Sequence, residues 1–167
     1  TCLGFVRDDE TGVELLVLDY LEGFGRIAKY EPRSLPRAAA WIGAFHAEHE
    51  GAAAAPGVNR YDLAYYLGWA SRAREWSVGP DVESRTLVRL SEQYAEAASA
   101  LVSGPQTVIH GELYPNNVLI RDARIYPVDW EWAAVASGEI DLAALTEGRW
   151  DASIVGACVD AYCAARW

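Results

Sequence analysis

One stretch constrains the fold more than any other: His110-Gly-Glu112-Leu-Tyr-Pro-Asn-Asn117, followed by Val118-Leu-Ile120, Arg124-Ile-Tyr-Pro-Val128 and Asp129-Trp-Glu131. The apolar triplet Thr107-Val-Ile109 before it reads as a short strand. The two apolar runs after it read as a hairpin turning at Asp122-Ala123. A carboxylate, an amide and a second carboxylate are thereby gathered around one loop and one hairpin. A chain built this way needs a scaffold that holds the loop still, and the rest of the sequence supplies mostly helices.

The clearest helix is expected over 83–103, where Leu87, Leu90, Tyr94, Ala97, Leu101 and Val102 keep a 3.6-residue period and Gly104-Pro105 ends it. Another is expected over 34–50, capped by Ser34, with Trp41, Ile42, Phe45 and His49 on one face and Gly51 and Pro56 past its end. Two more are expected near 139–147 and from Asp151 to about Arg166, the last with Ile154, Val155, Cys158, Val159 and Tyr162 on a shared face. Residues 57–82 read as irregular or short-helical and rich in aromatic rings, with a break at Gly79-Pro80. At the start, 2–7 and 13–19 read as strands around the acidic turn Asp8-Asp-Glu-Thr-Gly12, after which the chain leaves the sheet at Asp19-Tyr-Leu-Glu-Gly23. Gly23-Phe-Gly25 reads as a loop.

The chain has 167 residues, half of them hydrophobic, which suits one packed globular domain. No apolar run reaches the roughly 18 residues of a membrane span, and Thr1-Cys-Leu-Gly-Phe-Val6 is not a signal peptide, so no membrane and a cytoplasmic location are expected. A net charge of −10 argues against nucleic acid and suits a small, even cationic, partner. Cys2, Cys158 and Cys163 have no metal or disulfide spacing and read as buried thiols. Lys29 is the sole lysine among 14 basic residues, and with the many alanines this hints at a GC-rich bacterial source. The absence of Met suggests a piece of a longer protein.

The chemistry of the loop derives from its residue types. Transfer of a phosphoryl group to a hydroxyl needs a base beside that hydroxyl, and Mg2+ asks for hard oxygen ligands in addition to nucleotide phosphates. Glu112 is the candidate base, and Asn117 with Asp129 the candidate metal ligands. His110 suits a ring that bonds backbone carbonyls and holds the loop open. Asp141 suits either a helix cap or a brace for the loop backbone. His46 and His49, three apart on one helix, read as packing residues and not as a metal site. The aromatic run 61–76 reads equally as helix packing or as the lining of a substrate pocket. Glu131 reads as a solvated helix entry more readily than as a contact with metal or a cationic substrate.

His110-Gly-Glu112-x-x-x-x-Asn117-Val-Leu, then Val128-Asp129-Trp-Glu, then Asp141-Leu-Ala, resembles the aminoglycoside phosphotransferase family of kinase-like enzymes. The resemblance implies an α+β, protein-kinase-like fold: a mostly helical large lobe with a catalytic β-hairpin, plus the last hairpin of the small lobe. It divides the chain into 1–23, the hairpin and hinge, and 24–167, the large lobe with its catalytic loop 110–117 and metal-binding segment 128–131. It implies ATP as co-substrate, Mg2+, a small-molecule hydroxyl as acceptor, and hinge backbone at Asp19 and Leu21 that meets the adenine. Two features depart from the family. Its usual base is Asp, and the extra methylene of Glu112 moves the carboxylate by about 1.5 Å, a shift of the order that can cost ~10²-fold in rate. No glycine-rich phosphate loop or Lys precedes the hinge, and Lys29 lies after it. These departures leave a non-catalytic pseudokinase that binds a ligand or protein partner as the alternative, and a metal-dependent phosphate-ester hydrolase as a weaker one.

Overall fold

The computed structural model describes residues 2–27, 32–52, 57–76 and 82–167. Lys29, Ala53–Ala55, Pro56 and the Gly79-Pro80 break lie outside the described residues, as do the side chains of Cys2, Trp76 and Leu87.

An antiparallel hairpin opens the chain, β1 (Cys2–Arg7) on β2 (Glu14–Leu18). Its turn is the acidic one expected: the Asp8 carboxylate accepts the N–H groups of Glu10 and Thr11, and Gly12 takes a left-handed φ of +70°. The residues on both faces of this hairpin are exposed, among them Phe5, Leu15, Leu16 and Leu18. A two-stranded sheet with no buried face has little stability of its own.

The next strand, β3 (Gly25–Arg26), pairs antiparallel with β6 (Val118–Arg121), which pairs in turn with β7 (Arg124–Pro127). Gly25 thus belongs to a sheet, where the sequence reads as loop. The β6–β7 turn is Asp122-Ala123, both left-handed at φ +48° and +62°, the twist a two-residue hairpin needs. A third sheet sets β8 (Ala134–Ser137) between β4 (Asn59–Arg60), which runs parallel to it, and β5 (Gln106–Ile109), which runs antiparallel. β4 and β8 give no signal in the sequence. β8 is Ala-Val-Ala-Ser, buried at every position, so it has no alternation to read.

The helices are α1 (Leu35–Glu48), α2 (Leu63–Trp76), α3 (Val82–Ser103), α4 (Glu139–Leu145) and α5 (Ala152–Arg166). Neither Ser34 nor Asp151 makes a side-chain capping bond; a 3-10 turn at Pro32–Ser34 leads into α1. α2 is a full 14-residue helix where the sequence reads as irregular or short-helical. Its cap is Asp62, whose carboxylate accepts the Tyr65 N–H at 2.8 Å. No helix among the described residues is long and apolar enough to cross a membrane.

Two cores flank the loop. One joins α1, α5 and the β6–β7 hairpin through Leu35, Ile42, Leu113, Val118, Cys158 and Tyr162; the other joins β5, β8, α2 and α3 through Tyr61, Tyr66, Ala98, Ile109 and Ala136. Cys158 is buried as expected, and burial pushes its thiol up to about 11, whereas Cys163 lies exposed on α5. α1 and α5 meet at Gly43, where an added Cβ would stand 2.8 Å from the Tyr162 carbonyl oxygen and 3.3 Å from the Ala165 Cβ. In an open helix, replacing Gly by Ala gains roughly 1 kcal/mol. Backbone contact reverses that sign for anything larger, so Gly43→Val is expected to cost about 2–3 kcal/mol in chemical denaturation.

Candidate active site

The loop between β5 and β6 is held by one carboxylate. Asp141, wholly buried in the first turn of α4, accepts the His110 N–H at 2.6 Å on Oδ2 and the Gly111 N–H at 2.9 Å on Oδ1. Its Oδ2 also meets Nε2 of His46 at 3.1 Å, and His46 Nδ1 meets the Tyr162 hydroxyl at 3.1 Å. With Nε2–H donating to the carboxylate, Nδ1 is left to accept from the tyrosine, and each polar atom of this buried line has a partner. Burial pushes the Tyr162 phenol well above its usual range, which keeps it a donor. Gly138 is what lets the line close: a Cβ there would lie 2.6 Å from both His46 Nδ1 and the Tyr162 oxygen. His46 is therefore part of the loop's brace. Together with the buried Thr107 hydroxyl, which donates to the His46 carbonyl at 2.9 Å, it ties α1 to β5.

The His110 ring spans the loop and the hairpin. Its Nε2–H donates to the Val128 carbonyl at 2.9 Å, which leaves Nδ1 to accept the Glu112 N–H at 3.3 Å. Trp130 packs between His110, at 4.5 Å between ring centroids, and Phe45, at 5.4 Å, and its indole N–H donates to the Pro127 carbonyl. Asp129 lies between these two anchors with φ +71°, a left-handed value for a residue with a side chain. Such a conformation persists only when its neighbours enforce it. It turns the chain out of β7, and Asp129 is exposed. Glu131 is exposed too, in a turn closed by the Ala133 N–H on the Trp130 carbonyl. That turn leads into strand β8, so Glu131 is no helix entry.

Asn117 closes the loop. Its Nδ2 donates to the Glu112 carbonyl at 3.0 Å, and its own carbonyl accepts the Val128 N–H at 2.9 Å. The amide nitrogen is thereby used, and Oδ1 is the atom that can face a cation. Pairing of Val118 with Pro127 sets Asn117 across from Val128, one residue from Asp129. Among the described residues, no group of three or more His, Cys, Asp or Glu could hold a metal ion. The donors at the loop are instead an amide oxygen and single carboxylates, the hard set that suits Mg2+ sharing its shell with phosphates and water.

The segment expected to form a hinge lies beside the β6–β7 hairpin. Arg121 donates to the Glu22 carbonyl at 3.1 Å, and Phe24 meets Tyr126 edge-on at 4.7 Å, so 19–24 are tied to β6–β7. Asp19 is exposed and Leu21 half-buried.

On the other side, Glu112 borders a cavity of about 190 Å³ with Gly111, Tyr61, Tyr65, Trp69 and Trp132. Tyr61 and Tyr65 stack in parallel at 4.0 Å, and the Tyr61 hydroxyl donates to the Trp132 carbonyl at 3.2 Å. Burial first, then the bond to Tyr65 and the charge of Glu112, hold the Tyr61 phenol well above its usual range. The aromatic wall has a signal in the sequence: Tyr61, Tyr65 and Trp69 recur every four residues, the last two on one face of α2 and Tyr61 just before its cap. His49 stands apart, its Nδ1 on the Phe45 carbonyl at 2.8 Å.

Residues 5–166 match the model of the "Phosphotransferase enzyme family". Among solved structures, the chain resembles a choline/ethanolamine kinase family protein from Mesorhizobium loti, with a TM-score of 0.68 and 23% identity over 97% of this chain and 54% of that one. It also resembles a choline kinase from Streptococcus pneumoniae, with a TM-score of 0.68 and 16% identity over 96% and 55%, respectively. A macrolide 2'-phosphotransferase from Brachybacterium faecium gives 0.53 and 24% over 97% and 51%. The chain spans about half the length of each. No curated protein sequence matches it. The fold is α+β and protein-kinase-like, and the chain belongs to the phosphotransferase enzyme family.

Proposed function

We propose that the protein containing this chain transfers the γ-phosphate of ATP to a hydroxyl of a small molecule. In this reading 1–23 are the small-lobe hairpin and hinge, and 24–167 are the large lobe. The backbone of Asp19 and Leu21 meets the adenine. Glu112 orients the acceptor hydroxyl and takes its proton as the oxygen bonds to phosphorus and the bond to the ADP oxygen breaks. Asn117 Oδ1 and the Asp129 carboxylate hold Mg2+, which when bound supplies charge neutralisation on the phosphates.

The observation that carries this reading is the closure of the loop onto the hairpin. Asn117 bonds the Glu112 carbonyl with its side chain and the Val128 N–H with its backbone, so base and metal ligands share one rigid unit. Structures with this fold include a Streptococcus pneumoniae protein in complex with AMP and a glucosamine kinase in complex with glucosamine, ADP and inorganic phosphate, which supports a nucleotide co-substrate.

The test is turnover of γ-labelled ATP by the full-length protein on a library of hydroxyl compounds. Glu112→Gln is expected to lower kcat by about 10²–10⁴-fold with little change in nucleotide affinity. Unchanged turnover in this variant would remove Glu112 from the mechanism. No transfer to any acceptor, with nucleotide still bound, would favour a ligand-binding pseudokinase.

A further inference from the structure

Trp69 lines two depressions, and the cavity at Glu112 is the first of them. That indole also borders a second depression of about 410 Å³ between α2 and α3, with Ala70, Ala73, Leu90 and Tyr94 along it. Trp69, Leu90 and Tyr94 are each more than a third exposed, a cluster of large apolar groups separate from the exposed residues of the β1–β2 hairpin. Tyr61, Tyr65 and Trp69 form a run of ring contacts that leads from Glu112 to this depression. Tyr65 meets Trp69 edge-on at 6.4 Å, and burial, then the neighbouring Tyr65, hold the Tyr94 phenol above its ordinary value. Arg72, one turn on from Gly68, stacks its guanidinium over the Trp69 ring at 4.1 Å, which holds the indole at the junction.

The two halves differ in chemistry. The half at Glu112 offers a carboxylate and phenols, which suit a hydroxyl and a neighbouring ammonium. The half beyond Trp69 offers apolar side chains with small alanines that leave room. Trp69 to Ala73 and Leu90 to Tyr94 each cover four residues of helix, or about 6 Å. That length matches a ring or a short alkyl chain.

We propose that the acceptor is amphiphilic: its hydroxyl end sits at Glu112 and an apolar body crosses Trp69 into the groove between α2 and α3. The proposal rests on the assignment of Glu112 above for which end carries the hydroxyl. It excludes compact, wholly polar acceptors as the preferred class, because they would leave the groove empty.

The probe is a series of N-alkylethanolamines, from ethyl through butyl to hexyl, titrated by calorimetry onto the full-length protein without nucleotide. Affinity is expected to rise about two- to fourfold per methylene and then level off. Ala73→Phe, which fills the groove, and Leu90→Glu, which charges it, both lie on exposed helix positions away from Glu112, and each is expected to flatten the series while leaving the ethyl compound's affinity unchanged. A flat series in the wild type, or an undiminished rise in both variants, would overturn the proposal. Because binding is read without nucleotide, the two readings fail separately. Phosphotransfer with a flat series sinks this inference alone, and a chain-length dependence without phosphotransfer sinks the transferase reading alone.

Discussion

Asp141→Ala is expected to destabilise the protein by about 3–5 kcal/mol and to abolish measurable phosphotransfer at temperatures where the variant is still folded. One buried carboxylate accepts the N–H groups of His110 and Gly111 and the Nε2–H of His46. Removing it leaves three donors without partners, those of His110 and His46 in buried positions and that of Gly111 half-buried. Each orphaned buried group costs ~1–3 kcal/mol, so three of them account for a loss of this size. Equilibrium denaturation measures the first effect. The second arises because the same bonds fix the loop that carries Glu112, and a shift of about 1 Å in a reacting group can cost ~10²-fold. Asp141→Asn separates the two roles. It retains one oxygen acceptor but turns an NH2 toward an N–H donor, so a smaller stability loss with a comparable loss of kcat is expected. A variant that kept both stability and rate would show that Asp141 does not position the loop.

Gly111→Ala is expected to have the second-largest effect, about 3–4 kcal/mol of stability and at least 10²-fold in kcat. Gly111 has φ +87°, where an L side chain costs roughly 1–2 kcal/mol. Its added Cβ would stand 2.2 Å from the Trp132 carbonyl oxygen, a backbone atom that also accepts the Tyr61 hydroxyl. The loop must then retreat from Trp132, and Glu112 moves with it. Thermal denaturation and steady-state kinetics check the pair of effects. The Gly12→Ala variant is a useful control, because Gly12 shares the left-handed backbone at φ +70° but has nothing within 4 Å of a new Cβ. It is expected to lose only the conformational cost and to keep its kcat.

What the sequence made readable is what has a period or a fixed spacing. The α3 stripe, the α1 and α5 faces, and the two hairpins announce themselves by recurrence at 3.6 or 2 residues. That Glu112, Asn117 and Asp129 lie around one loop and hairpin is readable from spacing, while their chemical roles remain proposals. β8 escaped because a strand of small residues buried on both faces does not alternate. α2 escaped because aromatic residues and Gly68 blur its propensity, while its cap, Asp62, sits one residue before it.

The brace behind the loop is a different case. His46, Asp141 and Tyr162 lie 95 and 116 residues apart along the chain for the two hydrogen bonds that join them, so no local pattern connects them. His46 reads correctly as a buried packing residue, yet its partners are chosen by the packing of α1 on α5 and α4, which only coordinates supply. The left-handed turn at Asp129 is likewise tertiary in origin. It is imposed by the His110 bond to Val128 and by the wedge of Trp130 against Phe45, and neither is visible in the five residues around it.

The proposed mechanism depends most on Asn117 and Asp129 acting together on a nucleotide-bound cation. The direct measurement is ATP binding by the full-length protein, by calorimetry, with and without Mg2+, in the wild type and in Asp129→Asn. Mg2+ is expected to tighten binding at least tenfold in the wild type and to leave it unchanged in Asp129→Asn, with metal-free binding the same in both. An equal response to Mg2+ in the two proteins would contradict a shared metal site at Asn117 and Asp129.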